Sequence, residues 1–214
     1  SNAGDCSKND IDIATAVLAD SAAKAFLSVA GVQWGVLGRV MDNGQTFGGL
    51  PIWATEHKCG NYPWNPEGYP AYVMTAPNDQ AYAVESWGYL KGAIARGKVT
   101  AYNAWNMVLD RVGLGNDTTR HWAQNALLVA DNMTVTPTPT YHVFRHISQY
   151  VLPGAKVLGT TGGDALAFKN PDGTMVAVMF NSGAANPSYS VAMGGKTYSF
   201  AMPQNGWATV LHRP

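Results

Sequence analysis

Between residues 29 and 105, three short apolar runs are separated by longer stretches, the second of them ending in a helix-like segment, and each run closes on polar or aromatic groups. Val29-Ala30-Gly31-Val32 ends in Gln33-Trp34, Leu50 to Ala54 ends in Thr55-Glu56, and Lys98-Val99-Thr100-Ala101-Tyr102-Asn103-Ala104 ends in Trp105-Asn106. Short continuous apolar runs of this kind read as strands buried on both faces, the kind that parallel sheets use. Strand, helix, strand with the chemically interesting side chains at the strands' C-terminal ends is the grammar of a (β/α) barrel, whose active sites sit at that end.

The connecting stretches fit. Residues 10–28 are Ala-rich, with Ile13, Val17, Ala23 and Phe26 at roughly helical spacing, and read as one helix. The Gly- and Asn-rich sequence from residue 35 to Gly49 reads as a loop. A second loop holding Pro63, Pro66, Pro70 and Pro77 leads to a helix over residues 78–96, with Asn78 as N-cap and Gly97 as C-cap.

The pattern changes after Asn106. Residues 123–136 hold two short strand-like runs, and residues 140–151 form a helix stopped by Pro153-Gly154. Six alternating runs complete the chain, over residues 156–160, 165–169, 175–181, 189–193, 198–202 and 208–212, with the hairpin signals Asp172-Gly173 and Gly194-Gly195 in two of the gaps. This predicts an all-β sandwich, so the fold class is α/β plus all-β. The domain boundary falls near Gly154, with residues 4–153 before it and 154–214 after it.

Charge and composition narrow the partners. With 14 basic and 14 acidic residues the net charge is zero, and no run of Lys or Arg supplies a nucleic-acid footprint. No apolar stretch is long enough to span a membrane. Ser1-Asn2-Ala3 reads as an expression-tag remnant, and the polar turn after it suggests that the chain begins inside a larger unit. Cys6 and Cys59 allow one disulfide or two ordinary thiols. An oxidised pair would fit a secreted or periplasmic protein, the location expected here. Seven Trp and ten Tyr offer flat faces of the kind that stack on sugars, although most aromatics serve the core.

The chain holds only three glutamates. Glu85 falls inside a helix, Glu67 lies in the Pro-rich loop, and Glu56 ends a buried run. A strand-end carboxylate in a barrel mouth is a candidate catalytic group, and a first solvated residue after the strand is the plain alternative. Gln33, Trp34, Trp105 and Asn106 would converge on the same mouth as an indole floor with amide donors suited to a sugar ring. His57, adjacent to Glu56, should point to the opposite face. His142 and His146 share a helix face without a nearby carboxylate, which favours a structural role over a metal pair. There is no nucleophile elbow, phosphate loop or zinc motif, so neither metal nor cofactor is expected. Asn116-Asp117-Thr118 and Asn132-Met133-Thr134 match the glycosylation pattern, one that is common by chance.

Four motifs in order resemble glycoside hydrolase family 30, the glucosylceramidase-like and β-1,6-glucanase-like enzymes. Ile52-Trp53-Ala54-Thr55-Glu56 is similar to the strand end carrying the nucleophile. Tyr102-Asn103-Ala104-Trp105-Asn106-Met107-Val108-Leu109-Asp110 is similar to the last barrel strand with its Trp-Asn-x-x-Leu-Asp continuation. The helix with Val151-Leu152-Pro153-Gly154-Ala155, then Phe168-Lys169-Asn170-Pro171-Asp172-Gly173, resembles the entry to the C-terminal sandwich and one of its hairpins.

The resemblance implies a partial (β/α)8 barrel, its last three strands and helices, followed by the sandwich. It implies that Glu56 is the nucleophile of a retaining β-glycosidase, and that the first five barrel strands and the Asn-Glu acid/base are not in this chain. Gln33-Trp34-Gly35 departs from the His-Trp-Tyr of many members. The expected partners are a β-linked carbohydrate or glycoside and either the missing barrel half or a second copy meeting open sheet edges. A non-catalytic sugar-binding or assembly module is the other reading.

Overall fold

The computed structural model describes residues 6–58, 78–110 and 126–214. The Pro-rich loop with Glu67, the Cys6–Cys59 pairing and Asn116-Asp117-Thr118 lie outside what is described, and Asn78, expected as an N-cap, is the first residue of its helix.

The chain opens with α1 (Cys6–Ala19) and a short α2 (Ser21–Lys24) where one continuous helix was expected. Asp20 makes the break. Its backbone is extended, and its carboxylate accepts from the Ala22 and Ala23 amides at 2.8 and 3.1 Å, so it caps a new helix instead of continuing the old one. Next come β1 (Ala30–Gln33) and α3 (Trp34–Asn43), a helix in place of the expected loop. Val36, Leu37, Val40 and Met41 form its buried stripe, and Gly44 ends it in the left-handed conformation.

β2 (Ile52–Lys58), α4 (Asn78–Lys91) and β3 (Val99–Trp105) follow, α4 running into a π-helical turn over residues 92–96. The three strands form a parallel sheet in the order β1-β2-β3. Its packed face is built by Val32, Ile52, Ala54 and Val99 against the α3 stripe and Phe47.

A small mixed sheet comes next, β4 (Val108–Asp110) parallel to β5 (Leu128–Asp131) and β5 antiparallel to β6 (Thr134–Pro137). β4 comes so soon after β3 that no turn signal marks it. Thr138 then caps α5 (Pro139–Ser148), with proline in the first turn where its missing N–H costs nothing.

The remainder is β7 (Lys156–Leu158), β8 (Asp164–Lys169), β9 (Met175–Asn181), β10 (Asn186–Met193), β11 (Lys196–Met202) and β12 (Gly206–His212). They make a four-stranded sheet, β12-β9-β8-β7, and the hairpin β10-β11. β9 explains the continuous apolar run Met175-Val176-Ala177-Val178-Met179-Phe180. Ala177 and Met179 pack with Met193 and Met202 of the hairpin, while Val176, Val178 and Phe180 pack with Trp87, Leu90 and Val143 of α4 and α5. Both faces of the sheet are covered, so both sets of alternating residues are apolar. The β10-β11 turn is Gly194-Gly195, both at positive φ. A Cβ at Gly194 would stand 2.3 Å from the His212 ring, which the Tyr198 hydroxyl holds at 2.7 Å, so this position requires glycine for space as well as conformation.

Candidate active site

Glu56 owes its position to an irregularity in β2. Strict alternation would put Ile52, Ala54 and Glu56 on one face, the face packed by α3. Pairing with β3 steps from Ala54↔Tyr102 to His57↔Ala104, three residues on β2 against two on β3. Thr55 and Glu56 together therefore oppose Asn103, a β-bulge of the sort that re-aims a side chain. The extra residue shifts the alternation by one. His57 follows Ala54 into the packed layer and is only 4% exposed, and Glu56 leaves it, half-buried and paired in register with Gln33 of β1.

Trp34 completes this arrangement. β1 passes into α3 without a loop, and the turn is made at Trp34, whose φ is +37°, unusual for a bulky residue. That turn leaves the indole 40% exposed at the sheet's C-terminal end, where Nε1 donates to Glu56 Oε1 at 3.1 Å. Beneath it, His57 Nδ1 and the Tyr102 hydroxyl share a hydrogen bond of 3.0 Å. The His57 ring lies 5.3 Å from the Trp34 ring and 4.5 Å from that of Tyr89 on α4.

Among the candidates read from sequence, Gln33, Trp34 and Glu56 are thus brought together. Trp105 lies at the same end of the sheet, in register with Lys58. Its peptide bond to Asn106 is cis, and the Asn106 carbonyl accepts from the Leu127 amide at 3.0 Å, tying the end of β3 to the small sheet. Glu85 sits half-buried on α4. Sequence reasoning did not place Tyr89 or Tyr102 against His57, the neighbour of Glu56. Only the pairing of Tyr102 with Ala54, on the packed face, could have pointed to the latter.

His142 and His146 are not a metal pair in their contacts. The His146 Nδ1 meets the Thr209 hydroxyl at 2.8 Å, joining α5 to β12, and the His142 ring packs edge-on against Tyr141. Among the described residues no cluster of three or more His, Cys, Asp or Glu is placed to hold a metal ion, and no helix is long and apolar enough to cross a membrane.

Burial, then the neighbouring His142 and Arg145, lowers the His146 pKa below its ordinary 6.5. The folded state therefore binds fewer protons there than the unfolded chain, and its stability falls as pH drops below about 6.5 toward the folded value. Denaturant midpoints across pH 7.5 to about 5 should show this loss, and His146→Gln should flatten it.

Comparison with known proteins gives three findings. The model described as glycosyl hydrolase family 30 beta sandwich domain matches residues 154–210. No curated protein matches the chain. Among solved structures, SrfJ from Salmonella typhimurium is 19% identical over 97% of this chain and 46% of its own, with a TM-score of 0.72. An endo-beta1,6-glucanase is 20% identical over 94% and 44%, with a TM-score of 0.65. The GH30 xylanase C catalytic domain from Talaromyces cellulolyticus is 17% identical over 92% and 48%, at 0.64. At these identities the likeness is one of fold, and the chain spans less than half the length of each of these structures. The resemblance read from the motifs is therefore supported over the C-terminal part: residues 154–210 match the β-sandwich domain of glycoside hydrolase family 30, and the chain shares its fold with solved enzymes of that family.

Proposed function

We propose that this chain is the nucleophile-bearing segment of a retaining β-glycoside hydrolase acting on β-linked glucosides or related sugars. In this reading β1, β2 and β3, with α3 and α4, are the last three strands and helices of a (β/α)8 barrel, and residues 4–153 and 154–214 are the barrel portion and the sandwich. The observation that carries it is Glu56, bulged out of the packed layer at the C-terminal end of a parallel sheet with an indole N–H on one carboxylate oxygen.

Retention takes two displacements, with two carboxyl groups about 5–5.5 Å apart. With Oε1 held by Trp34, Oε2 of Glu56 forms a bond to the anomeric carbon as the bond to the leaving oxygen breaks. That oxygen takes a proton from an acid. Water then attacks the same carbon, giving its proton back to that group, and Glu56 departs as carboxylate. The sequence holds no Asn-Glu pair for the acid, so it comes from the remaining strands of the barrel. Gln33, Trp105 and Asn106 line the sugar side, and no cofactor takes part.

A second reading, a non-catalytic sugar-binding or assembly module, draws on the face turned away from α3, the one that Glu56 also joins. There Trp53 is 44% exposed, in register with Gly31 and Ala101, among the described residues. Turnover of an aryl β-glycoside separates the two. This chain alone should be inert and the product of the complete reading frame active. If neither turns over, the hydrolase reading fails, and saturable sugar binding without turnover would establish the second.

A further inference from the structure

The bond from Trp34 to Glu56 is only as well defined as the indole that makes it, and that indole is 40% exposed on the first residue of a helix. An exposed side chain does not fix a carboxylate unless something behind it is rigid. Behind Trp34 lies the His57 ring, almost fully buried, on the residue after Glu56. His57 is fixed in turn by the Tyr102 hydroxyl and the Tyr89 ring. Tyr89 belongs to α4, and the Tyr102 ring packs 5.8 Å from Phe144 of α5, so the stack is anchored in both helices that cover the sandwich.

We infer that the His57–Tyr102 pair is a positioning brace that holds the Trp34 indole in place to donate to Glu56. Its catalytic meaning rests on the reading of Glu56 as nucleophile, but its geometry does not. The bulge gives the brace its logic. One inserted residue sends Glu56 toward the site and His57 into the layer beneath, so consecutive residues supply the acceptor and the support for its donor.

The test reads the indole directly. In this chain labelled with ¹⁵N, the Trp34 Nε1–H resonance is assigned by its loss in Trp34→Phe, and Glu56→Gln marks where it moves without the carboxylate. Tyr102→Phe, which keeps the ring and removes the hydroxyl, should move it toward the Glu56→Gln position, as should His57→Phe. Neither should add much once Glu56→Gln is present, and the Trp87 and Trp207 resonances should stay fixed. A Trp34 resonance unmoved in both variants overturns the proposal. So does either variant displacing Trp87 and Trp207 together with Trp34, because the pair would then hold the fold and not the indole. Neither result bears on whether Glu56 forms a covalent bond to sugar, so failure of the brace and failure of the nucleophile are read separately.

Discussion

Replacing Glu56 with Gln in the product of the complete reading frame should lower kcat for an aryl β-glycoside by at least about 10³-fold if Glu56 is the nucleophile we propose, since its removal takes away the covalent step itself. The amide retains a carbonyl oxygen that can accept from Trp34 Nε1, so the fold and the indole's place survive. KM should change far less than kcat, because the lost interaction belongs to the transition state. Steady-state kinetics beside a circular dichroism spectrum check both halves. A variant retaining a tenth of the native rate would show that the bulged carboxylate is a structural acceptor for Trp34 and no more.

The largest expected effect on stability is at Trp87, 1% exposed in the core that α4 and α5 share with β8 and β9. Its ring packs within that core, and its Nε1 donates to Asp164 Oδ1 at 2.8 Å, an oxygen that also receives the Lys91 ammonium. Truncation to Ala leaves a cavity that the two helices and the sheet cannot close together, at about 3–5 kcal/mol. Trp87→Phe keeps most of the apolar body but leaves Asp164 with Lys91 alone, a contact about one third exposed, and should cost about 1–2 kcal/mol. Urea titration distinguishes them by midpoint at unchanged slope. A loss below about 1 kcal/mol for Trp87→Ala would mean that the helices and the sandwich do not share one core.

How legible this was in the sequence varies by element. The six C-terminal strands were readable because their turns are chemical. Gly194-Gly195 supplies two positive-φ positions, and Asp172-Gly173 closes a turn in which the Thr174 amide donates to Asp172 at 2.9 Å. The α3 helix was not, because Gly35 and Gly38 disguise a stripe at residues 36, 37, 40 and 41 that does carry helical spacing. The break at Asp20 had a visible cause in a residue that caps better than it continues a helix.

The site divides in the same way. Parallel strands ending together bring Gln33 beside Glu56, and this much could be read from two apolar runs. The face that Glu56 takes could not, because it depends on a bulge set by pairing with β3, a strand far along the chain. Period-two counting from Ile52 would have sent Glu56 into the packed layer. The turn at Trp34 was equally hidden, since nothing in Gln33-Trp34-Gly35 signals a positive φ at tryptophan when glycine stands beside it.

Whether Glu56 attacks the sugar is decided by trapping the covalent intermediate. The product of the complete reading frame would be treated with a 2-deoxy-2-fluoro β-glycoside bearing an activated leaving group, which slows the second displacement more than the first. Tryptic digestion and sequencing by mass spectrometry then locate the sugar. One glycosyl adduct is expected on the peptide from Val40 to Lys58, localised to Glu56 and absent in Glu56→Gln. A stable adduct on another carboxylate, with Glu56 unmodified, would contradict the assignment of Glu56 as nucleophile.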